Sequence, residues 1–247
     1  MPGTTTLPPK PRSHITHPDM THLPTLSVWR RLVRYILFWL VRFVVWICVR
    51  VETRGLENIP SRGPALVVSN HLGDADLVVG VAYSPYPIDS TAKAELYDFP
   101  IVGSLLRLYG VIWVHRGQPD RGALRAIING LKEGRMIAIA PEGRESLSGA
   151  LEEGTGGAAY LALKAKVPLL PVTFTGTENE RVYHNLKHLR RSKITITVGP
   201  PFRLDEFPDR RMAIEMGTQK IMRTLAGQLP PEYRGVYKTS LESLDGS

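Results

Sequence analysis

Ala65-Leu66-Val67-Val68-Ser69-Asn70-His71-Leu72-Gly73-Asp74-Ala75-Asp76-Leu77-Val78-Val79 is the stretch from which the fold is read. Ala65 to Val68 is a short apolar run that ends on polar turn formers, which predicts a buried strand. Apolar residues resume behind Asp74, which predicts a helix starting there. A histidine at such a junction stands at an element end, where side chains face a cleft. Neutral imidazole accepts a proton near pH 7, and a neighbouring carboxylate fixes its tautomer and steadies the imidazolium. Spacing alone leaves two partners open: Asp74 if His71 is already helical, Asp76 if it lies in the turn before the helix. A polar helix cap without chemistry is the competing account.

The alternation continues along the chain. Further strands are predicted at Val111 to Val114, Met136 to Ala140, Leu169 to Phe174 and Ile194 to Val198. Helices are predicted at Ala75 to Tyr83, Pro100 to Leu108, Arg121 to Glu133, Gly157 to Lys166 and Arg210 to Leu229. This is the pattern of an α/β fold, a single domain over residues 52–229 whose mostly parallel or mixed sheet is covered by helices on both faces. Residues 1–27, rich in Pro and Thr, read as a disordered tail, and 230–247 as an irregular polar one.

Residues 28–51 differ in character: VWRRLVRYILFWLVRFVVWICVRV. Arg30, Arg31, Arg34, Arg42 and Arg50 interrupt the apolar runs, which fall short of the roughly 18 residues of a spanning helix. Trp29, Trp39 and Trp46 favour the headgroup region. The expectation is an amphipathic helix at the membrane interface, its arginines reaching lipid phosphates, rather than a core helix or a signal peptide.

The net charge of +8, from 31 Lys and Arg against 23 Asp and Glu, points to anionic partners. A hydrophobic content of 43% excludes general disorder. Cys48 is the one cysteine, so no internal disulfide forms. Nucleic acid is not expected as a partner, because the aromatic residues gather in the N-terminal helix rather than beside cations on strands. Gly154 to Ala159 matches a loose dinucleotide fingerprint but lacks a buried strand before it, and His184 and His188 lie among basic residues, so neither a nucleotide cofactor nor a metal is expected.

Four more stretches sit at predicted strand ends or loops: Lys93 to Leu96, Gly110 to Arg116, Pro141-Glu142-Gly143-Arg144-Glu145-Ser146, and Val167 to Val172. Lys93, Arg116 and Arg144 are candidates to converge on one phosphate, against the plainer reading of solvated charges.

Together these blocks resemble, over roughly residues 55–200, the glycerolipid acyltransferase family of the bacterial 1-acyl-sn-glycerol-3-phosphate acyltransferase type. The family's His, four residues, Asp block maps onto His71 and Asp76; Gly-x-x-Phe-Ile-x-Arg maps onto Gly110 to Arg116; Phe-Pro-Glu-Gly-Thr-Arg-Ser maps onto Ala140 to Ser146; and the Val-Pro-(Ile/Val)-(Ile/Val)-Pro-Val run maps onto Val167 to Val172. The resemblance selects Asp76 as the partner of His71. It implies an acyltransferase moving a fatty acyl group from a thioester, acyl-CoA or acyl-carrier protein, to the sn-2 hydroxyl of lysophosphatidic acid, with no other cofactor, at the cytoplasmic face of a membrane in phospholipid biosynthesis. It further implies Arg116, Arg144 and Lys93 at the phosphate, and Glu142, Gly143 and Gly110 in the substrate and oxyanion region. Two positions depart from the pattern. Gly73 replaces a common Ser, a change expected to be neutral. Glu145 stands where Arg is usual, with Arg144 one place earlier, so either Arg144 takes over the phosphate contact or acceptor recognition has changed. Alternatives are the same chemistry on another lysolipid, such as a lysophospholipid or an amino-acid lipid, or a non-enzymatic lipid-binding protein.

Overall fold

A computed structural model describes residue 17 and residues 20–238. Most of the expected tails, 1–16 with 18–19 and 239–247, lies outside the described residues. Within them the chain forms α1 (Val28–Cys48), β1 (Val49–Arg54), β2 (Ala65–Ser69), α2 (Ala75–Tyr83), β3 (Asp89–Lys93), α3 (Val102–Tyr109), β4 (Ile112–Val114), α4 (Arg121–Lys132), β5 (Met136–Ile139), α5 (Gly157–Ala165), β6 (Leu169–Thr175), α6 (Asn179–Lys187), β7 (Ser192–Val198) and α7 (Arg210–Gln228).

The strands make one mixed sheet in the order β1-β7-β6-β2-β5-β3-β4. Neighbours pair in parallel throughout, except β6 with β7. Five strands, β6-β2-β5-β3-β4, therefore end at one edge of the sheet. The two-residue period of β2 divides the core. Leu66 and Val68 pack with Ile137 and Leu169 beneath α4, α5 and α7, while Ala65 and Val67 join Leu170, Val172, Val79 and Val45 on the other face. Both faces of the sheet are covered.

Two strands escape the apolar pattern. β3, Asp-Ser-Thr-Ala-Lys, buries Asp89 and Ser90 to 3% and 1% exposure. It is tolerated there because Arg34 of α1 donates to Asp89 Oδ1 at 2.9 Å and lays its guanidinium over the Tyr109 ring. β1 follows α1 with no break in the apolar run, so the helix ends at Cys48 rather than residue 51, and 49–54 belong to the sheet. The Arg191 guanidinium donates to Trp46 O at 2.6 Å and to Val49 O at 2.6 Å and 3.1 Å, satisfying carbonyls at that helix end.

The expected tails are also shorter. Met20 is buried, and Pro24 O accepts from Arg135 Nη1 at 2.8 Å. At the other end, Leu151 N–H donates to Tyr233 O at 2.9 Å, and Tyr233 and Tyr237 pack on the core. The body thus runs from about residue 20 to 238.

Arg34 is a correction to the reading in which every arginine of α1 reaches outward: it is 3% exposed and spoken for. Removing one member of such a pair strands the other charge in the interior. Asp89→Ala is expected to cost about 3–5 kcal/mol in urea unfolding; a loss below 1 kcal/mol would show that the pair does not anchor α1.

Candidate active site

The edge where the five strands end is where an open α/β sheet forms its crevice, and each strand delivers a polar residue there. β2 is pinned first: Asn70 Nδ2 donates to Phe174 O at 2.9 Å, and its Oδ1 accepts from Phe174 N at 2.8 Å, so a side chain continues the strand pairing. The backbone then turns, and His71 precedes α2. Its Nδ1 lies 2.9 Å from Asp76 Oδ2. Asp76 Oδ2 also accepts the N–H groups of Leu72, at 2.7 Å, and Gly73, at 3.0 Å. Asp74, the rival partner, instead accepts from the Tyr183 hydroxyl at 2.9 Å.

The Asp76 side chain is 5% exposed and that of His71 25%. With Nδ1–H donated to the carboxylate, Nε2 is left as the basic nitrogen, and it makes no hydrogen bond among the described residues. Burial alone would lower the His71 pKa. The hydrogen bond and charge of Asp76, helped by the charge of Glu145, outweigh it against the opposing Arg116, and the pKa is raised above 6.5.

Glu142 holds the loop from below. Its Oε1 accepts from His71 N at 3.0 Å and its Oε2 from Glu152 N at 2.7 Å. Burial pushes this carboxyl up to about 7, although both N–H bonds work against that. Arg144 Nε donates to Glu152 Oε2 at 2.7 Å, and the other Glu152 oxygen accepts from Leu147 N at 2.7 Å. The side chains of Arg144 and Glu152 are 10% and 4% exposed.

These contacts divide the expected residues. Lys93, at the end of β3, and Arg116, just past β4, are half-buried and belong to the mouth: Arg116 acts on His71, and Lys93 on Glu145. Arg144 is buried in the β5 loop with its Nε bonded to Glu152. Gly143 is not an oxyanion donor, because its N–H closes a turn on Ala140 O at 3.0 Å. Gly110 caps α3 at φ +80°, its N–H bonded to Leu106 O, beside Pro24 and Arg30. It precedes β4, so it lies at the opposite edge of the sheet. Sequence reasoning passed over Asn179, whose Nδ2 donates to Glu145 Oε1 at 2.6 Å, and Glu152. Neither belongs to a recognisable spacing, and the signal for Asn179 was only its place at the start of a helix.

A buried carboxylate, an imidazole with one nitrogen unengaged and nearby cations form an arrangement chemically able to take a proton from a hydroxyl beside an anionic group. The Acyltransferase family profile matches residues 50–175, and the chain belongs to that enzyme family. A 1-acyl-sn-glycerol-3-phosphate acyltransferase of Borreliella burgdorferi is 31% identical over 143 residues, 56% of this chain and 57% of the relative. One of Bacillus subtilis is 28% identical over 159 residues, 64% of this chain and 76% of the relative. The chain thus spans a little over half of the first and about three quarters of the second. The crystal structure of the 1-acyl-sn-glycerophosphate acyltransferase of Thermotoga maritima has the same fold, with a TM-score of 0.59 at 24% identity over 81% of this chain and 83% of the other.

A base works only when deprotonated, so a raised His71 pKa places the acid limb of kcat/KM above pH 6.5. Asp76→Asn keeps the size and removes the charge. The limb is expected to move to lower pH while kcat falls ~10²- to 10⁴-fold, measured as a pH–rate profile. A limb that stays in place would mean that Asp76 does not tune the imidazole.

Proposed function

We propose that the protein transfers a fatty acyl group from an acyl thioester to the sn-2 hydroxyl of a 1-acylglycerol 3-phosphate, giving phosphatidic acid. The reading is carried by one observation, the His71 Nδ1–Asp76 Oδ2 pair at the strand-end crevice with Nε2 unengaged. Nε2 takes the proton of the acceptor hydroxyl, whose oxygen attacks the thioester carbonyl. The tetrahedral intermediate collapses with cleavage of the carbon–sulfur bond, and the imidazolium returns the proton to the departing thiolate. Lys93 and Arg116 hold the acceptor phosphate. The donor is acyl-CoA or acyl-carrier protein, and no further cofactor takes part. His71→Ala is expected to lower kcat by ~10²- to 10⁴-fold with the circular dichroism spectrum unchanged; near-normal transfer by the purified variant would refute the role.

Both substrates are amphiphiles, and the outer surface of the protein suits a bilayer. No helix among the described residues is long and apolar enough to cross one. The outward face of α1 exposes Trp29, Ile36, Trp39, Leu40, Phe43 and Trp46, and Ile101, just before the neighbouring α3, is exposed together with Leu105 and Leu108 of that helix. Arg31, Arg42 and Arg50 are exposed on or beside α1. This helix lies in the interface of a membrane, at its cytoplasmic face, with those arginines at the lipid phosphates. The double variant Trp39→Glu and Phe43→Glu touches only exposed positions. It is expected to lose at least about tenfold in binding to anionic phospholipid vesicles while remaining folded; undiminished co-sedimentation would remove α1 from that role.

A further inference from the structure

The end of β4 repeats the spacing found at the end of β2. His115-Arg116-Gly117-Gln118-Pro119-Asp120 is a second run of His, four residues, Asp, and it too joins a strand to the helix behind it. The carboxylate again gathers an imidazole and backbone N–H groups. His115 Nδ1 lies 2.6 Å from Asp120 Oδ2, and the same oxygen accepts the His115 N–H at 3.0 Å. Asp120 Oδ1 accepts from Ala123 N at 2.9 Å and so caps α4. The two side chains are 16% and 9% exposed. Burial works against the Asp120 charge, yet the N–H groups of Ala123 and His115 and the His115 ring together hold its pKa below the ordinary value.

The two oxygens of Asp120 have different work. Oδ1 alone suffices for the cap, and it ties the loop to a fixed body, since Ala123, Ala126, Ile127 and Leu131 of α4 are core residues. Oδ2 acts only on His115, whose backbone carries Arg116. Gly117, at φ +75°, takes the left-handed conformation that suits glycine, and the loop closes on the one carboxylate. Arg116 makes no hydrogen bond or ion pair among the described residues, and its charge acts on His71. Its side chain is therefore held by no partner of its own there, and the place from which it reaches out is set by the residue before it. A long side chain loses much freedom when it binds, and a fixed starting point lessens that loss.

We propose that the His115–Asp120 pair is a positioning device for Arg116: Oδ2 of Asp120 and the His115 ring hold the β4–α4 loop so that the guanidinium is presented ready-placed to the acceptor phosphate. The pair touches neither the reacting hydroxyl nor the thioester. The proposal rests on the reading of Arg116 as a ligand of that phosphate.

The test is a mutant cycle on the full-length protein, with kcat and KM for lysophosphatidate measured against one acyl-CoA. Arg116→Ala should raise KM roughly tenfold or more, the scale of a lost charged hydrogen bond. His115→Ala leaves the α4 cap in place and should raise KM about 3- to 10-fold, the scale of freeing one long side chain, with kcat unchanged. Asp120→Asn keeps a good cap residue but has one acceptor oxygen where two are used; it should behave as His115→Ala does, and it carries the test should that variant not fold. In the Arg116→Ala background neither substitution should raise KM further. A change that only loosened the fold would lower kcat and repeat its loss in both backgrounds. That result, or an unchanged KM in His115→Ala and Asp120→Asn beside a raised one in Arg116→Ala, would overturn the proposal and leave Arg116 as the phosphate ligand. An unchanged KM in Arg116→Ala would overturn that reading and the proposal with it.

Discussion

One carboxylate oxygen organises the mouth of this protein. Asp76 Oδ2 gathers the imidazole of His71 and the N–H groups of Leu72 and Gly73 onto a single point. The strand-to-helix turn must fold around it, and the ring is fixed in orientation and tautomer by the bonds that close the turn. The geometry of the imidazole–carboxylate pair and the local backbone geometry are therefore one constraint. The Glu142–Glu152–Arg144 chain repeats the device underneath, with a buried carboxylate bonded to the His71 N–H and a buried guanidinium bonded to the next carboxylate along. Partly desolvated charges are costly singly and hold position well when fully partnered.

Much of the fold was legible because hydrophobic period carries it. β2, β5, β6 and β7 are apolar runs, and α2, α4 and α7 end within a residue or so of where their patterns do. β3 was not legible, because a strand with Asp and Ser at its buried end is stable only where Arg34 arrives from a helix more than fifty residues away. β1 was hidden because the apolar run from Phe43 to Val49 crosses the helix–strand junction without a break.

At the site, His71 could be found by its position, but Asp76 could not be chosen over Asp74 from spacing. The choice depends on where the first helical turn starts, a matter settled by two N–H groups and not by side-chain type. Gly143 and Gly110 show the opposite failure. Each lies in a block that matches a pattern, yet the N–H of each is taken up by a local turn, on Ala140 O and Leu106 O. Pattern finds the blocks; the partners of each group decide which of its members are left unengaged.

The reversal of direction at β7 has a spatial consequence. β7 runs against β6, and β1 runs with β7, which pairs Val49 with Ser192 near the end of β6. The α1–β1 junction therefore emerges on the same rim as His71, while the first turn of α1 sits beside Gly110 at the opposite rim. The oily helix crosses the body diagonally and finishes on the rim that carries His71, three strands away along the sheet. A surface that seats Trp39, Phe43 and Trp46 would therefore also set that rim at a fixed height, and the placement is laid down by chain topology.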